Sequence, residues 1–207
     1  MITVNSLSGG KSSSYIALNY PADYNVFSLV RTNDKSCIYP DAKVRQIVSD
    51  KIGCEFVGTT EQDAIIKIML QLSEKIDIDW VTGKTFEDVI KYKGGYLPNV
   101  MVRYCTTHLK MMPIFDYWRK NINEVCDMRI GFRKGEEERM SNMIKKLNEN
   151  GNEEIKVVVG KRKTKNKWGF VEWRKPSFPL IENQIDNKEI YRYWSNNKDI
   201  DFPIGYY

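Results

Sequence analysis

The 207-residue sequence is poor in cysteine and histidine, with four of the first and one of the second. No two cysteines stand at the CxxC spacing, which excludes zinc ribbons and zinc fingers and gives no support to an iron–sulfur centre. No apolar run approaches the roughly 20 residues that a membrane helix needs. The first residues also lack the apolar stretch of a secretory signal. We therefore expect no membrane contact and a cytoplasmic location with reduced thiols.

A strong excess of charge of one sign is also absent. Lysine and arginine number 32 against 27 aspartate and glutamate residues, a net charge of +5. This mild excess suits an anionic ligand without demanding nucleic acid. Hydrophobic residues make up 42% of the chain, which is enough for one sizeable core. We predict a single domain over residues 1–207, with residues 150–207 as a C-terminal hairpin and helix appendage.

Strand and helix patterns alternate along the first part of the chain. Apolar, β-branched segments predict strands at 2–7, 24–31 and 54–58, and helical spacing with end signals predicts helices at 12–20, 40–52 and 61–75. This alternation indicates an α/β fold of Rossmann-like type, with a parallel sheet, helices on both faces and right-handed crossovers.

The second half of the chain is less regular. An irregular segment at 77–104 is interpreted as a lid or an insertion, and the later patterns predict a helix at 106–121, a strand at 125–132, a helix at 136–148, a β-hairpin from 154–159 and 169–173, and a helix at 187–194. The hairpin and the last helix form the predicted small C-terminal addition to the sheet.

A turn rich in glycine and serine joins the first strand to the first helix, with the sequence Ser8-Gly9-Gly10-Lys11-Ser12-Ser13. Glycines let the backbone approach an oxyanion, N–H groups at a helix start carry partial positive charge, and the lysine adds a full charge. Asn5 stands where a Walker A loop needs glycine, and the GxGxxG pattern is absent. The turn predicts phosphate binding outside those two classes. The plainer alternative is a strand-to-helix turn capped by serines.

Four segments, in this order, resemble the phosphoadenosine phosphosulfate (PAPS) reductase family of the PP-loop adenine-nucleotide alpha-hydrolase-like superfamily. The SGGKSS turn resembles the PP-loop, and the other segments are Arg103-Tyr104-Cys105-Thr106 with Leu109-Lys110 and Pro113, then Gly131-Phe132-Arg133 with Glu136 and Arg139, and then Pro179-Leu180-Ile181 with Ile190 and Trp194. Each segment is weak alone, and together they cover nearly the whole chain.

The resemblance implies a five-stranded parallel sheet that binds an adenine nucleotide, PAPS or ATP, at its carboxyl edge. It implies an oxidoreductase of sulfur metabolism or an ATP-using transferase, with chemistry at the α-phosphate or the attached sulfate. The implied nucleotide-binding residues are Ser8, Gly9, Gly10, Lys11, Ser12, Ser13, Arg103, Lys110, Arg133, Glu136 and Arg139. The candidate catalytic residues are Lys11, Arg133 and Cys105.

Two departures from the family pattern bear on that activity. Ser12 stands where the commonest ATP-using PP-loops carry aspartate, a handle for Mg²⁺-pyrophosphate, so both ATP cleavage and a Mg²⁺ requirement stay open. Reductases of the family carry a catalytic cysteine near the C-terminus, whereas this sequence has no cysteine after Cys126. We therefore expect an internal thiol, a thiol reductant or a partner protein to replace it. Cys105 is the internal candidate, and its plainer interpretation is a half-buried small hydrophobe.

Other interpretations of the sequence remain beside this one. A basic turn followed by aromatic residues could bind tRNA or DNA, which would favour a nucleic-acid sulfur-modifying enzyme; its charges are Lys161, Arg162, Lys163, Lys165 and Lys167. The plainer interpretation is an exposed, solubilising turn. A nucleotide-binding module without catalysis is a third hypothesis. Arg133, Glu136 and Arg139 could equally form a solvated salt-bridge helix, and a homo-oligomer is compatible with the sequence.

Overall fold

The computed structural model describes residues 1–99, 101–162 and 165–203. Its strands are β1 (Thr3–Leu7), β2 (Tyr24–Ser28), β3 (Asp79–Val81), β4 (Cys126–Arg129), β5 (Glu153–Arg162) and β6 (Lys165–Ser177). Its α-helices are α1 (Lys11–Asn19), α2 (Ala42–Ile52), α3 (Ala64–Ser73), α4 (Phe86–Tyr92), α5 (Tyr104–Thr106), α6 (Met112–Asn121), α7 (Glu137–Ile144), α8 (Pro179–Glu182) and α9 (Asn187–Asn196). A 3-10 turn covers Lys35–Cys37, and a π-helical turn, Thr107–Met111, joins α5 to α6.

The strands form one sheet in the order β3-β2-β1-β4-β6-β5. Neighbours from β3 to β6 pair in parallel, and only β5 is antiparallel, against β6. The predicted α/β class with a mostly parallel sheet is confirmed, whereas the expected number of five strands is wrong because the sheet has six. The predicted strand at 54–58 is also wrong. Within that segment only Gly58 pairs, in isolated bridges to Thr32 and Ile38.

The C-terminal hairpin belongs to the main sheet. The last residues of β6 pair in parallel with β4, with Arg174 opposite Cys126 and Ser177 opposite Arg129. The first residues of β6 pair with β5 instead, beyond the end of β4. The C-terminal part of β6 therefore lies within the main sheet, and its N-terminal part forms, with β5, a hairpin that projects beyond the sheet.

Hydrophobic cores lie on both faces of the sheet, as the alternating pattern predicts. One core joins Leu7 and Phe27 of the strands to α1, α3 and α9, with Ile16, Ile66 and Trp194 buried there. The other is formed by Val4, Val26, Phe115, Trp118, Cys126, Met128, Val157 and Trp173. Because α6 and the base of the hairpin share this second core, the hairpin is held against α6.

Local signals explain several helix ends. The helix α2 starts at Asp41, whose carboxylate accepts hydrogen bonds from the Lys43 and Val44 amides, and it ends at Gly53 with φ at 67°. The predicted interruption near Pro113 is a π-helical turn that runs straight into α6, where the proline needs no amide partner. No helix among the described residues is both long and apolar enough to cross a lipid bilayer.

Candidate functional site

The turn between β1 and α1 has the conformation that its glycines allow. Gly9 has φ at +75°, and an added Cβ there would lie 2.7 Å from Cγ2 of Ile65, so a side chain is excluded both by strain and by contact. Gly10 takes the N-cap position of α1 and has no side chain to cap the first amides. Those amides therefore face the space beyond β1, where an anion can accept their hydrogen bonds.

Hydrogen bonds of two serines hold the conformation of this turn. The Ser13 hydroxyl donates to the Gly10 carbonyl at 3.1 Å and accepts from the Ser8 amide at 3.2 Å. The Ser8 and Ser13 hydroxyls also lie 3.2 Å apart. Since Ser13 is buried and already engaged with the loop, its first role is to hold the curvature of the turn.

The loop after β4 meets the start of α1 because β4 lies beside β1 in the sheet. Gly131 lies so close that an added Cβ would be 3.3 Å from the Ser13 amide nitrogen and 3.4 Å from the Ser12 Cβ. The following residue, Phe132, stacks on Phe178 with ring centroids 5.7 Å apart. The neighbouring strand ends thus place two loops side by side at the carboxyl edge of the sheet, where open α/β sheets bind ligands.

Arg133, Glu136 and Arg139 form one ion-pair cluster on that second loop and the start of α7. The Glu136 carboxylate accepts from the Arg133 amide at 3.0 Å, from the Arg133 Nε at 3.2 Å and from the Arg139 guanidinium. Arg133 also donates to Asn187 Oδ1 at 2.6 Å, and the Arg139 guanidinium lies 4.4 Å from the Phe132 ring centre. Arg133 and Glu136 are therefore oriented by each other and by α9, whereas the Arg139 side chain is 63% exposed beside the Phe132 ring.

The carboxylate of Glu136 is held ionised by this arrangement. Burial alone would raise its pKa, but the hydrogen bonds from the Arg133 amide and from the two guanidinium groups outweigh burial and lower the pKa. An ionised Glu136 fixes both arginines in place while the cluster keeps a net positive charge.

Lys11 is the other cation of the site, and α9 holds it. Its backbone carbonyl accepts from the Trp194 Nε1 at 3.0 Å. Its Nζ lies 4.0 Å from the Tyr191 ring centre and 5.9 Å from that of Phe202. The side chain is 8% exposed, and burial lowers the pKa of its amine. A buried ammonium beside aromatic faces is stabilised further when an anion joins it.

These groups line one cavity of about 300 Å³. Its walls include Ser8, Gly10, Lys11, Ser12, Ser13, Arg133, Glu136, Arg139, Phe132 and Tyr191. We call this cavity the anion cradle. A second cavity of about 540 Å³ shares Lys11 and Tyr191 with it and is lined also by Trp194, Lys198, Ile200 and Phe202. A larger cavity therefore lies next to the cradle.

The remaining predicted site residues lie apart from the cradle. Cys105 and Lys110 line another cavity, of about 210 Å³, with Phe86 and Leu109. Lys110 forms an ion pair with Glu61, so its charge is balanced there. Arg103 is exposed just before α5. The structure thus brings together the site residues predicted on the first turn and after β4. The three predicted at 103–110, which are Arg103, Cys105 and Lys110, lie apart from them.

Sequence reasoning missed the aromatic residues that lie beside Lys11. Tyr191 lies on an amphipathic C-terminal helix, and Phe202 follows that helix, so neither residue has a local signal that points to the first turn. The packing of α9 on α1 brings them there. Gly131 and Phe132, by contrast, belong to the segment whose resemblance drew attention to Arg133.

A resident metal has no evident ligand set in the described part of the chain. No group of three or more His, Cys, Asp or Glu side chains lies together there in a way that could hold an ion. The cradle offers amides, hydroxyls and cations, which are donors suited to phosphate or sulfate oxygens.

Comparisons with known proteins give one structural likeness to report. No protein-family model and no curated protein matches the chain. Among solved structures, the crystal structure of phosphoadenylyl-sulfate (PAPS) reductase from Candida auris, a phosphate complex, is similar to it with a TM-score of 0.46 and 11% sequence identity. The match covers 96% of this chain and 73% of that one.

Proposed function

We propose that the chain binds an adenine nucleotide, with a phosphate or sulfate group in the anion cradle. The observation that carries this proposal is the convergence of two loops in one cavity. Gly10, Lys11, Ser12 and Ser13 at the start of α1 and Arg133 after β4 all line the same 300 Å³ space, and they bring backbone amides, an ammonium and a guanidinium to it. Three donors of different kinds around one cavity suit a tetrahedral oxyanion better than a neutral ligand.

The charges of the cradle favour a ligand with more than one negative charge. Lys11, Arg133 and Arg139 line it together with one carboxylate, that of Glu136. Phosphates and sulfates linked as in PAPS, adenylyl sulfate or ATP carry such charge. The adjoining cavity presents the aromatic rings of Tyr191, Trp194 and Phe202, and a nucleobase that extended there would stack on such rings.

We infer that chemistry occurs at the α-phosphate or at the sulfate attached to it. Lys11 and Arg133 would stabilise negative charge that develops on the oxygens as the bond between these groups breaks. Reduction of a sulfonucleotide to sulfite and the free nucleotide takes two electrons, which two thiols supply when they are oxidised to a disulfide. Because Cys105 lines a different cavity, we propose that a separate dithiol reductant or a partner protein supplies these thiols. A bound Mg²⁺ would arrive with the nucleotide.

Calorimetry with PAPS, adenylyl sulfate, ATP and AMP, each against inorganic phosphate and sulfate, tests the binding part of the proposal. We expect at least one of the nucleotides to bind more tightly than either free anion. Absence of binding by all of the nucleotides would overturn it. Turnover of PAPS or adenylyl sulfate with added dithiol then separates an enzyme from a nucleotide-binding module without catalysis, which would bind and leave the nucleotide intact.

A further inference from the structure

The projecting hairpin carries large apolar side chains in solvent. Lys156 is paired with Phe170, and Val158 with Trp168, and directly opposed residues of antiparallel strands point to the same face. Trp168 is 55% exposed and Phe170 is 65% exposed. We call these four residues, together with Lys161 opposite Asn166, the hairpin surface. Two neighbouring aromatic rings on one open strand face are unusual without a binding role.

The charge of the hairpin surface is positive throughout. Residues 155–171 contain no Asp or Glu and six Lys or Arg residues, namely Lys156, Lys161, Arg162, Lys163, Lys165 and Lys167. Lys161 is exposed, and it pairs with Asn166, two residues before Trp168, so Lys156 and Lys161 share the face of the two rings. Lys165 and Lys167 are exposed on the opposite face of β6, and Lys163 lies outside the described residues. The nearest carboxylates stand at the base of the hairpin. There Glu172 accepts from Asn152 at 2.6 Å and Glu154 accepts from Asn148 at 3.3 Å.

Protection of a sheet edge accounts for only part of this pattern. Lysines on an edge strand prevent pairing with other chains. Both strands of the projecting hairpin have an open edge, because β5 is the edge strand of the sheet and β6 pairs with β4 only from Arg174 to Ser177. Lys165 and Lys167 therefore suit edge protection. Edge protection does not explain why Trp168 and Phe170 are exposed, because solvent-facing aromatic rings promote association rather than prevent it.

A cavity of about 490 Å³ opens beside the hairpin surface. Trp168, Lys156 and Val158 form one wall, and Tyr92, His108, Lys84 and Arg119 stand on the other side. Tyr92 is 61% exposed, and the Lys84 Nζ lies 4.4 Å from its ring centre. The one acid in the lining, Asp116, is paired with Arg119 at 3.2 Å. Trp168 and Tyr92 thus line one cavity, with the Lys84 ammonium over the Tyr92 ring, and the cavity is large enough to admit a nucleobase.

The pKa of His108 is lowered in these positive surroundings. Burial is the largest cause, and the charges of Lys93 and Lys84 lower the pKa further. At neutral pH the imidazole is therefore neutral, and its edge lies against Tyr92 with ring centres 5.6 Å apart.

We propose that the hairpin surface binds single-stranded nucleic acid, with the lysines along the phosphates and unpaired bases on Trp168, Phe170 and Tyr92. A polyanion suits Lys156 and Lys161 beside the rings and Lys84 across the cavity. A single strand fits better than a duplex, because only unpaired bases offer free faces to exposed rings. An acidic peptide would satisfy the lysines but would leave the aromatic rings without partners. The surface shares no residue with the anion cradle, so this inference stands apart from the proposed nucleotide binding.

Fluorescence anisotropy with labelled oligothymidylate and oligouridylate of about 12 nucleotides tests the proposal. For the full chain we expect a Kd of roughly 1–100 µM near physiological salt, weakening as salt rises. A duplex of the same length should bind at least about tenfold less tightly, because its bases are already stacked.

Two variants separate stacking from charge. The double variant Trp168→Ala/Phe170→Ala should weaken single-strand binding about 10- to 100-fold with little change in salt dependence. The triple variant Lys84→Gln/Lys156→Gln/Lys161→Gln should reduce the slope of log K against log salt by about 2. The matched control removes the same charge elsewhere, at Lys43→Gln/Lys145→Gln/Lys146→Gln, and should bind like the wild type.

Thermal melting and nucleotide calorimetry on each variant show that the fold and the cradle are intact. No oligonucleotide binding at low salt would overturn the proposal, as would equal binding of duplex and single strand. Equal binding of poly-glutamate would assign the surface to acidic partners instead. Wild-type affinity in both hairpin variants would move any nucleic-acid binding to another part of the chain.

Discussion

The ammonium of Lys11 lies 4.0 Å from the centre of the Tyr191 ring, which joins the first helix of the chain to the last. The contact is reinforced by the hydrogen bond from the Trp194 indole to the Lys11 carbonyl. The C-terminal helix α9 is therefore part of the candidate site. It orients the lysine, and through Asn187 it also orients Arg133.

Removal of the Lys11 charge should weaken nucleotide binding. Lys11→Met keeps the apolar stem of the side chain, and we expect it to lose about 1.5–3 kcal/mol of binding free energy, roughly 10- to 100-fold in Kd. Calorimetry measures this effect. The exposed lysine Lys188 on α9 provides the matched control, and Lys188→Met should leave the Kd unchanged. Wild-type affinity in Lys11→Met would place the ligand elsewhere.

Nucleotide binding should take up protons at alkaline pH. Burial lowers the pKa of the Lys11 amine, and an anion beside it favours the protonated form. Affinity should therefore fall as the pH rises through that lowered pKa. Calorimetry in two buffers of different ionisation enthalpy measures the uptake, and Lys11→Arg, which stays charged, should abolish it.

The stability of the free protein should change with pH in the opposite sense. The buried ammonium of Lys11 has a lower pKa in the folded state than in the unfolded state, so the unfolded state binds more protons between the two values. The free energy of unfolding should therefore rise with pH across that range, relative to Lys11→Met.

The proton uptake predicted for nucleotide binding has a clear contrary result. Proton release on nucleotide binding would contradict the assignment of Lys11 to the cradle.

The two adjacent glycines should respond differently to alanine. Gly9→Ala introduces a Cβ at φ +75° and into contact with Ile65, and we expect a loss of about 4–8 °C in Tm. Gly10 has φ at −83°, and the nearest atom to an added Cβ is the Ser8 Oγ at 3.6 Å. Gly10→Ala should keep the wild-type Tm within about 2 °C and bind nucleotide about tenfold or more weakly, because the methyl group enters the cradle. Equal effects on both quantities in the two variants would contradict this assignment.

Cys105 should be dispensable for nucleotide binding. It lines the cavity with Lys110 and Leu109 rather than the cradle, so Cys105→Ser should bind nucleotide with wild-type affinity. If a thiol from another molecule supplies the electrons, the same variant also keeps its turnover with added dithiol. Loss of turnover with binding intact would instead assign the reducing thiol to Cys105.

The start of the fold could be predicted from the sequence because its signals are local. The alternation from Ile2 to Leu7 and the Ser8–Ser13 turn place β1, the turn and α1 in their observed order. The helix end at Gly53 is equally local, since only glycine adopts its left-handed conformation without strain.

The third strand could not be predicted in the same way. Residues 54–58 have the apolar composition of a strand, and Phe56 is buried, but it packs against Tyr39 while its amide donates to the Ser49 hydroxyl. The observed β3 is only Asp79–Val81, three residues at the sheet edge that pair with β2. The apolar composition of residues 54–58 reflects their burial, whereas strand pairing depends on which segment lies beside the edge of β2.

The candidate site likewise has features that the sequence predicts and features that it does not. The anion-binding character of residues 8–13 follows from glycine conformation and helix geometry, which are local. The contact between Lys11 and Tyr191 depends on the packing of α9 against α1. The separation of Cys105 from the cradle depends on the course of the chain over residues 77–104. Neither relationship has a spacing in the sequence that could reveal it.

A crystal structure of the chain with bound PAPS or ATP tests the central claim most directly. We predict phosphate or sulfate oxygens within hydrogen-bonding distance of the amides at the start of α1, of the Lys11 Nζ and of the Arg133 guanidinium. A nucleotide seated instead in the cavity of Cys105 and Lys110, with the cradle empty of phosphate and sulfate, would contradict the proposed function.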